Sequence, residues 1–349
     1  MTSVKLFLNI YTFSHSNIFT KTDFENKTKK IERLIYIGGK CIIFTLLNKN
    51  IPFNNMISIK LTKILPFLPV LLFFFSCASK PKDERIVSVS ILPQQYFVEQ
   101  IAGDYVKINV MVPPGMNPAT SDLNTEQLKK LLDSDICFAV GYLPFETVHL
   151  YPVLEGKKKP VLIRHSDTLE LIAGDCQHAS AHVQHPQASV DPHVWMSPRY
   201  ALMMSREIYE VLAETYPEKQ AVFRANYERL EKRIKQLAQQ AEQELAGKTQ
   251  RTFLIYHPAL TYFARDYGLE QISIEEEGKE PDPRHLKKIV DIVREKKIPL
   301  IFIQNQFDVN NANSVAAETG VQIIPIDPLS PDWMAEMENL IRILKEKLN

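Results

Sequence analysis

Two histidines stand in settings that suit metal chemistry. His193 lies in the run DPHVW, residues 191–195. Asp191 can accept a hydrogen bond from one ring nitrogen while Pro192 stiffens the loop, which leaves the other nitrogen for a cation. His257 lies in YHPAL (256–260), directly after a predicted strand and before a predicted helix. In open α/β sheets ligands bind beyond the carboxyl ends of the strands, so this ring is expected at a binding crevice. Asp327, in IDPL (326–329), occupies the same kind of place after the last predicted strand. Each has an ordinary alternative. A lone His is more often a satisfied hydrogen-bonding residue, and a lone Asp after a strand can cap the next helix. Together, two imidazoles and a carboxylate from equivalent positions form a credible donor set for a divalent cation.

The remaining candidates are weaker. His178, His182 and His185, with Cys176 just before them, form a short His-rich stretch among Ala, Ser, Gln and Pro; it reads as a loop that either collects metal weakly or is simply polar. His149, His165 and His285 sit in no ligand-like setting and are expected as ordinary surface or hydrogen-bonding residues. Cys137 falls in a predicted core strand and is expected to be buried, with a pairing to Cys176 open to an exported protein. The stretch EEEGKEPDP (275–283) is expected as a solvated mobile loop. HExxH, GxSxG, the Walker A loop, paired CxxC and GxGxxG are all missing from the chain. Two His, one Asp and an open position would also suit a zinc hydrolase, but only Glu276 or Glu277 could be offered as its base, so the chain is not read as an enzyme.

The elements that must position these residues follow from periodicity. Ile86 to Leu92, Val106 to Val112, Ile136 to Gly141 and Val161 to Ile163 read as strands, with helices at Gln94 to Ala102 and Thr125 to Leu132. After Pro198 the chain turns helical for almost fifty residues, broken near Tyr216 and Pro217, with Tyr227, Leu230, Ile234, Leu237 and Ala241 on one stripe. Strands resume at Thr252 to Tyr256, Gln271 to Ile274, Leu300 to Gln304 and Gln322 to Ile326. The pattern predicts an α/β fold of two lobes, each a four-stranded parallel sheet flanked by helices, joined by a long rigid helix. The expected divisions are an N-terminal lobe at 85–197, linking helices at 198–248 and a C-terminal lobe at 249–349.

Charge is unevenly spread. The 349 residues hold 41 Lys plus Arg and 41 Asp plus Glu, a balance with no footprint for nucleic acid. The first 76 residues, however, carry 10 basic and 3 acidic groups, so the rest carries 31 against 38 and is acidic. Within the front segment Met56 begins a second start: Lys60 and Lys63, then the apolar run Ile64 to Phe75, then Ser76 and Cys77. This order describes a secretory signal at 56–76, too short and Pro-rich for a membrane span. Cys77 follows it as the lipidated Cys of a bacterial lipobox would, with 77–84 as a polar tether. Residues 1–55 lack a clear period and read as an upstream extension of the gene; a small extra domain or an anchor at Leu34 to Leu47 is the alternative.

These residues resemble the zinc and manganese solute-binding proteins of ABC transporters. The likeness runs over nearly all of 85–349: VSILP, MVPPGMNP (111–118), GYLPFE (141–146), DPHVW, YHPAL with Tyr262 and Phe263, EPDP (280–283), IFIQNQF (301–307) and IDPL. The resemblance implies metal held between the lobes by His193, His257 and Asp327, with Zn2+ as cargo and Mn2+ or Fe2+ as alternatives. It further implies a monomer, exported and lipid-anchored at the membrane facing the periplasm or cell surface, that delivers the cation to an ABC permease whose ATPase subunit is a separate chain. One departure matters: the family usually has His after the Pro that Pro118 matches, and here Ala119 follows. Asp122, or one of His178, His182 and His185, is expected to compensate. A surface adhesion lipoprotein with a degraded metal site is the other reading of Ala119.

Overall fold

Short apolar runs that end at Ser, Gly or His become the strands of two sheets. The computed structural model describes residues 84–173, 190–275 and 280–349, together with Leu8–Asn9, Glu32–Ile37 and Lys40–Thr45 in a separate front unit. Those last three segments pair as an antiparallel sheet, with the third between the first and the second. Regular structure was not expected there. The runs ERLIYI and KCIIFT are nonetheless rich in residues that favour strands, and two glycines separate them, a hairpin signal.

In the main unit, 81–349, the first sheet holds β1 (Ile86–Val89), β2 (Lys107–Val110), β3 (Ile136–Ala139) and β4 (Val161–Arg164) in the order β2-β1-β3-β4. The second holds β5 (Thr252–Ile255), β6 (Glu270–Ser273), β7 (Leu300–Gln304) and β8 (Gln322–Ile326) in the order β8-β7-β5-β6. Every pairing in both sheets is parallel. Read from the first strand of each, the two orders are the same, so the fold is two α/β sheets of one topology. Both sheets switch direction between their first and third strands, the place where such sheets open a crevice at the strand ends.

Helices α1 (Leu92–Ala102), α2 (Thr125–Asp133) and α3 (Tyr151–Leu154) belong to the first sheet. The first begins sooner than expected because Pro93 suits the opening turn of a helix, and this shortens β1 to four residues. The long helical region is α4 (Pro198–Thr215), a single 3₁₀ turn at Pro217–Lys219, and α5 (Gln220–Leu245). All five residues of the expected α5 stripe are buried, joined by Phe223 and Leu245. Beyond it lie α6 (Thr261–Asp266), α7 (Pro283–Lys296), α8 (Asn310–Thr319) and α9 (Trp333–Lys347). One continuous apolar core runs from Val87 and Phe138 through α4 and α5 to Phe253, Trp333 and Leu344. A second cluster, with Leu254, Ile289 and Val315, lies between the second sheet and α7 and α8. Among the described residues no helix is long and apolar enough to cross a membrane.

The segment after β3 is fixed by one buried carboxylate. Glu146 is fully buried and accepts from the backbone N–H groups of Val140 at 2.6 Å, Gly141 at 2.7 Å and Leu143 at 3.2 Å. Burial pushes its carboxyl above the ordinary value, against the pull of those N–H donors. Gly141 has φ of 132°, and a Cβ there would meet the Ser166 hydroxyl at 1.8 Å, so no other residue fits. Glu146→Gln turns an NH2 group toward these donors and leaves at least one unpaired. A loss of about 1–3 kcal/mol in urea unfolding is expected; an unchanged midpoint would mean the carboxylate does not hold this turn.

Candidate metal centre

His193 and His257 come together. Their Nε2 atoms lie 3.3 Å apart, with ring centroids 5.1 Å apart and ring planes at 72°. His193 is delivered by the loop before α4. Its ring packs beside Trp195, and the indole of Trp195 donates to the Pro328 carbonyl at 2.7 Å while its carbonyl accepts from the Trp333 indole at 2.8 Å. Tyr262 adds a bond from its hydroxyl to the Asp191 carbonyl at 2.7 Å. The DPHVW loop is thereby bolted to the element that carries His257.

His257 follows β5 at the switch point. Gln304, at the end of β7 and buried, clamps its backbone: the His257 N–H donates to Oε1 at 3.3 Å and the carbonyl accepts from Nε2 at 2.7 Å. Phe307 stacks on the ring, with centroids 5.0 Å apart at 17°.

A carboxylate holds the far nitrogen of each ring. His193 Nδ1 meets Asp191 Oδ1 at 2.8 Å, as expected from DPH, and His257 Nδ1 meets Glu275 Oε2 at 2.6 Å. Burial raises the Asp191 carboxyl, but the adjoining His193 ring and hydrogen bonds from His193 and Thr261 outweigh it, and the group sits below its ordinary value. A carboxyl lower in the folded than the unfolded state stabilises the fold above the ordinary carboxylate range. That contribution fades as pH falls through the range toward the folded value. A neutral ring that donates its Nδ1–H to the carboxylate leaves Nε2 with a lone pair. Two nitrogens held about 2.0–2.1 Å from a tetrahedral ion stand roughly 3.3–3.4 Å apart, which matches the separation seen.

Glu275 is the residue that sequence reasoning missed. It was grouped with a solvated loop, yet it is buried against His257. Its place right after the strand ending at Ser273 was the available signal; residues 276–279, including Glu276 and Glu277, lie outside the described residues.

The other expectations fare differently. Asp327 follows β8, but its Oδ1 accepts from the N–H of Leu329 at 3.1 Å and lies 3.5 Å from Gln306 Nε2. Its neighbours Pro328 and Leu329 line the cavity around the imidazoles, whereas Asp327 is not among the described residues that line it. Among the described residues, no three His, Cys, Asp or Glu side chains gather closely enough to hold a metal. Asp122 is exposed and pairs with His149 Nε2 at 3.2 Å, away from the cavity wall that Ala119 occupies. His165 is the hydrogen-bonding kind and not the surface kind: it is fully buried, stacked on Phe138 and bonded to Glu207 at 2.5 Å. Cys137 is buried as expected, and burial holds its thiol far above the ordinary value. His178, His182, His185, Cys176 and Cys77 lie outside the described residues.

The sequence profile of the periplasmic zinc-uptake complex component A family, ZnuA, matches residues 87–348. The chain belongs to this family. It is 26% identical over 291 residues to the zinc-binding lipoprotein AdcA of Streptococcus pneumoniae, covering 79% of this chain and 57% of that protein. It thus spans little more than half the length of that relative. A crystal structure of ZnuA superposes with a TM-score of 0.69 at 30% identity, covering 76% of this chain and all of the other. The laminin-binding protein Lmb of Streptococcus agalactiae, described as bifunctional with adhesin and metal transporting activity, shares the fold at TM-score 0.66 and 21% identity, over 76% of this chain and 100% of its own. Nitrogen-15 NMR of the metal-free protein should show both neutral rings as the Nδ1–H tautomer, with Glu275→Ala mixing the tautomers of His257 alone. Nε2–H rings in the parent protein would contradict the lone-pair assignment.

Proposed function

We propose that this ZnuA-family chain is a receptor that captures a divalent metal ion, zinc first, and hands it to an ABC permease driven by a separate ATPase subunit. The observation that carries this reading is the convergence of two Nε2 lone pairs at 3.3 Å, each ring braced by a carboxylate. Imidazole suits zinc, and the spacing suits its tetrahedral preference. His193 and His257 are the proposed ligands. Asp327 is proposed as a third, recruited when its Oδ1 exchanges the Leu329 N–H for the cation. Manganese and iron are the alternative cations, each favouring more oxygen donors than zinc.

The lobes 85–197 and 249–349, joined by the helices of 198–248, are the proposed jaws of the receptor. Lipid attachment at Cys77 would tether it by 77–84 to the membrane, facing the periplasm or cell surface. This part of the reading is supported by the signal-like segment 56–76 and by the lipoprotein name of the pneumococcal relative.

Titration with zinc, followed calorimetrically, should give one saturable site. Glu275→Gln should weaken it roughly 10–100-fold, the usual effect of losing a partner behind a metal-bound imidazole. His193→Ala and His257→Ala should each weaken it further than that, with melting curves confirming that the variants fold. Unchanged zinc affinity in both His variants would sink the receptor reading and favour an adhesion role for the fold.

A further inference from the structure

The space in front of the two imidazoles is larger than a cation needs, and much of its described wall is apolar. The cavity measures about 520 Å3. With Asp327 left on the Leu329 N–H as in this structure, two Nε2 atoms fill two positions of a tetrahedral ion, and two waters would take only about 60 Å3 at ~30 Å3 each. Ala119, Leu143, Pro144, Ala259 and Phe307 on that wall cannot coordinate, and the Gln304 amide is engaged with the His257 backbone. Asn117 lies on the wall too, but its Oδ1 accepts from the Ala119 N–H at 2.8 Å. A volume of this size with mostly apolar walls and a few polar groups is what small organic ligands occupy.

Charge narrows the class of ligand. Asp191 and Glu275 line the cavity, and among the described residues no Lys or Arg does. A free organic acid would enter with nothing to balance it, so its counter-charge has to be the cation. A polycarboxylate would add surplus negative charge beside two carboxylates that are already buried. An α-amino acid brings one amine nitrogen and one carboxylate oxygen and a single negative charge once its ammonium proton has left to solvent. Ser273 and Gln306 offer it neutral hydrogen-bonding groups on the wall.

We propose that this site takes its divalent cation as a chelate with an α-amino acid, the cation held by His193 and His257 and the amino acid filling the space before Ala119. The proposal rests on the receptor reading above. It turns the departure at Ala119 into a specificity determinant: the missing side chain makes room for a donor that travels with the metal.

Equilibrium dialysis with radiolabelled L-histidine and radiolabelled glycine, with and without zinc, tests it. At least one label should be retained one-to-one with protein when zinc is present and lost when zinc is omitted. In Ala119→His the new imidazole takes one of the two positions the chelate needs, so zinc should still be retained while label retention falls at least several-fold. Zinc retained by the parent protein without either label would overturn the chelate and leave the receptor reading standing. Label retained equally without zinc would also overturn it. Retention of neither zinc nor label would overturn both.

Discussion

Two imidazole lone pairs held face to face are the constraint around which this protein is arranged. The two Nε2 atoms stand 3.3 Å apart, and two lone pairs at that separation repel unless something positive lies between them. Left to themselves the rings would turn away or rotate a proton into the gap. Asp191 and Glu275 prevent this by fixing the proton on the opposite nitrogen of each ring, so the pair is preorganised for a cation. Both carboxylates are largely buried, which strengthens the grip on the rings and adds negative potential beneath the site.

Holding that arrangement requires two rigid supports that do not drift. The sheets provide them by placing His257 and Gln304 at the switch point of the second sheet, where backbone ends are exposed to a crevice. The indoles of Trp195 and Trp333, each bonded to a carbonyl across the cleft, tie the His193 loop to α9 and the turn after β8. The apolar core continues through α4 and α5 without a break, so the cleft is set by packing and not by a hinge of few contacts. The opposite wall is built on the buried Glu146 carboxylate, which shapes the turn carrying Leu143 and Pro144.

Much of this was legible before any coordinates. The alternation of strands and helices determined two parallel sheets, because strand and helix periods differ and α5 shows its stripe from Tyr227 to Ala241 without ambiguity. His193, His257 and the bond from Asp191 were readable because the DPH spacing and the position after a strand are local. Glu275, Gln304 and Glu146 were not, since their roles depend on which distant backbone they meet, and an acidic run looks solvated until the fold buries its first member. Asp327 was placed after the correct strand, but its side-chain direction is decided by the turn to Leu329, which periodicity does not encode. The pairing of Asp122 with His149 likewise depends on a turn geometry that residue types leave open.

The central claim is that two imidazoles of this chain hold the metal ion. X-ray absorption at the zinc edge of the loaded protein addresses it directly. The account predicts two imidazole nitrogens about 2.0–2.1 Å from zinc, with the remaining donors not imidazoles of this chain. A spectrum without imidazole scattering, or one fitted by three or more protein imidazoles, would contradict it.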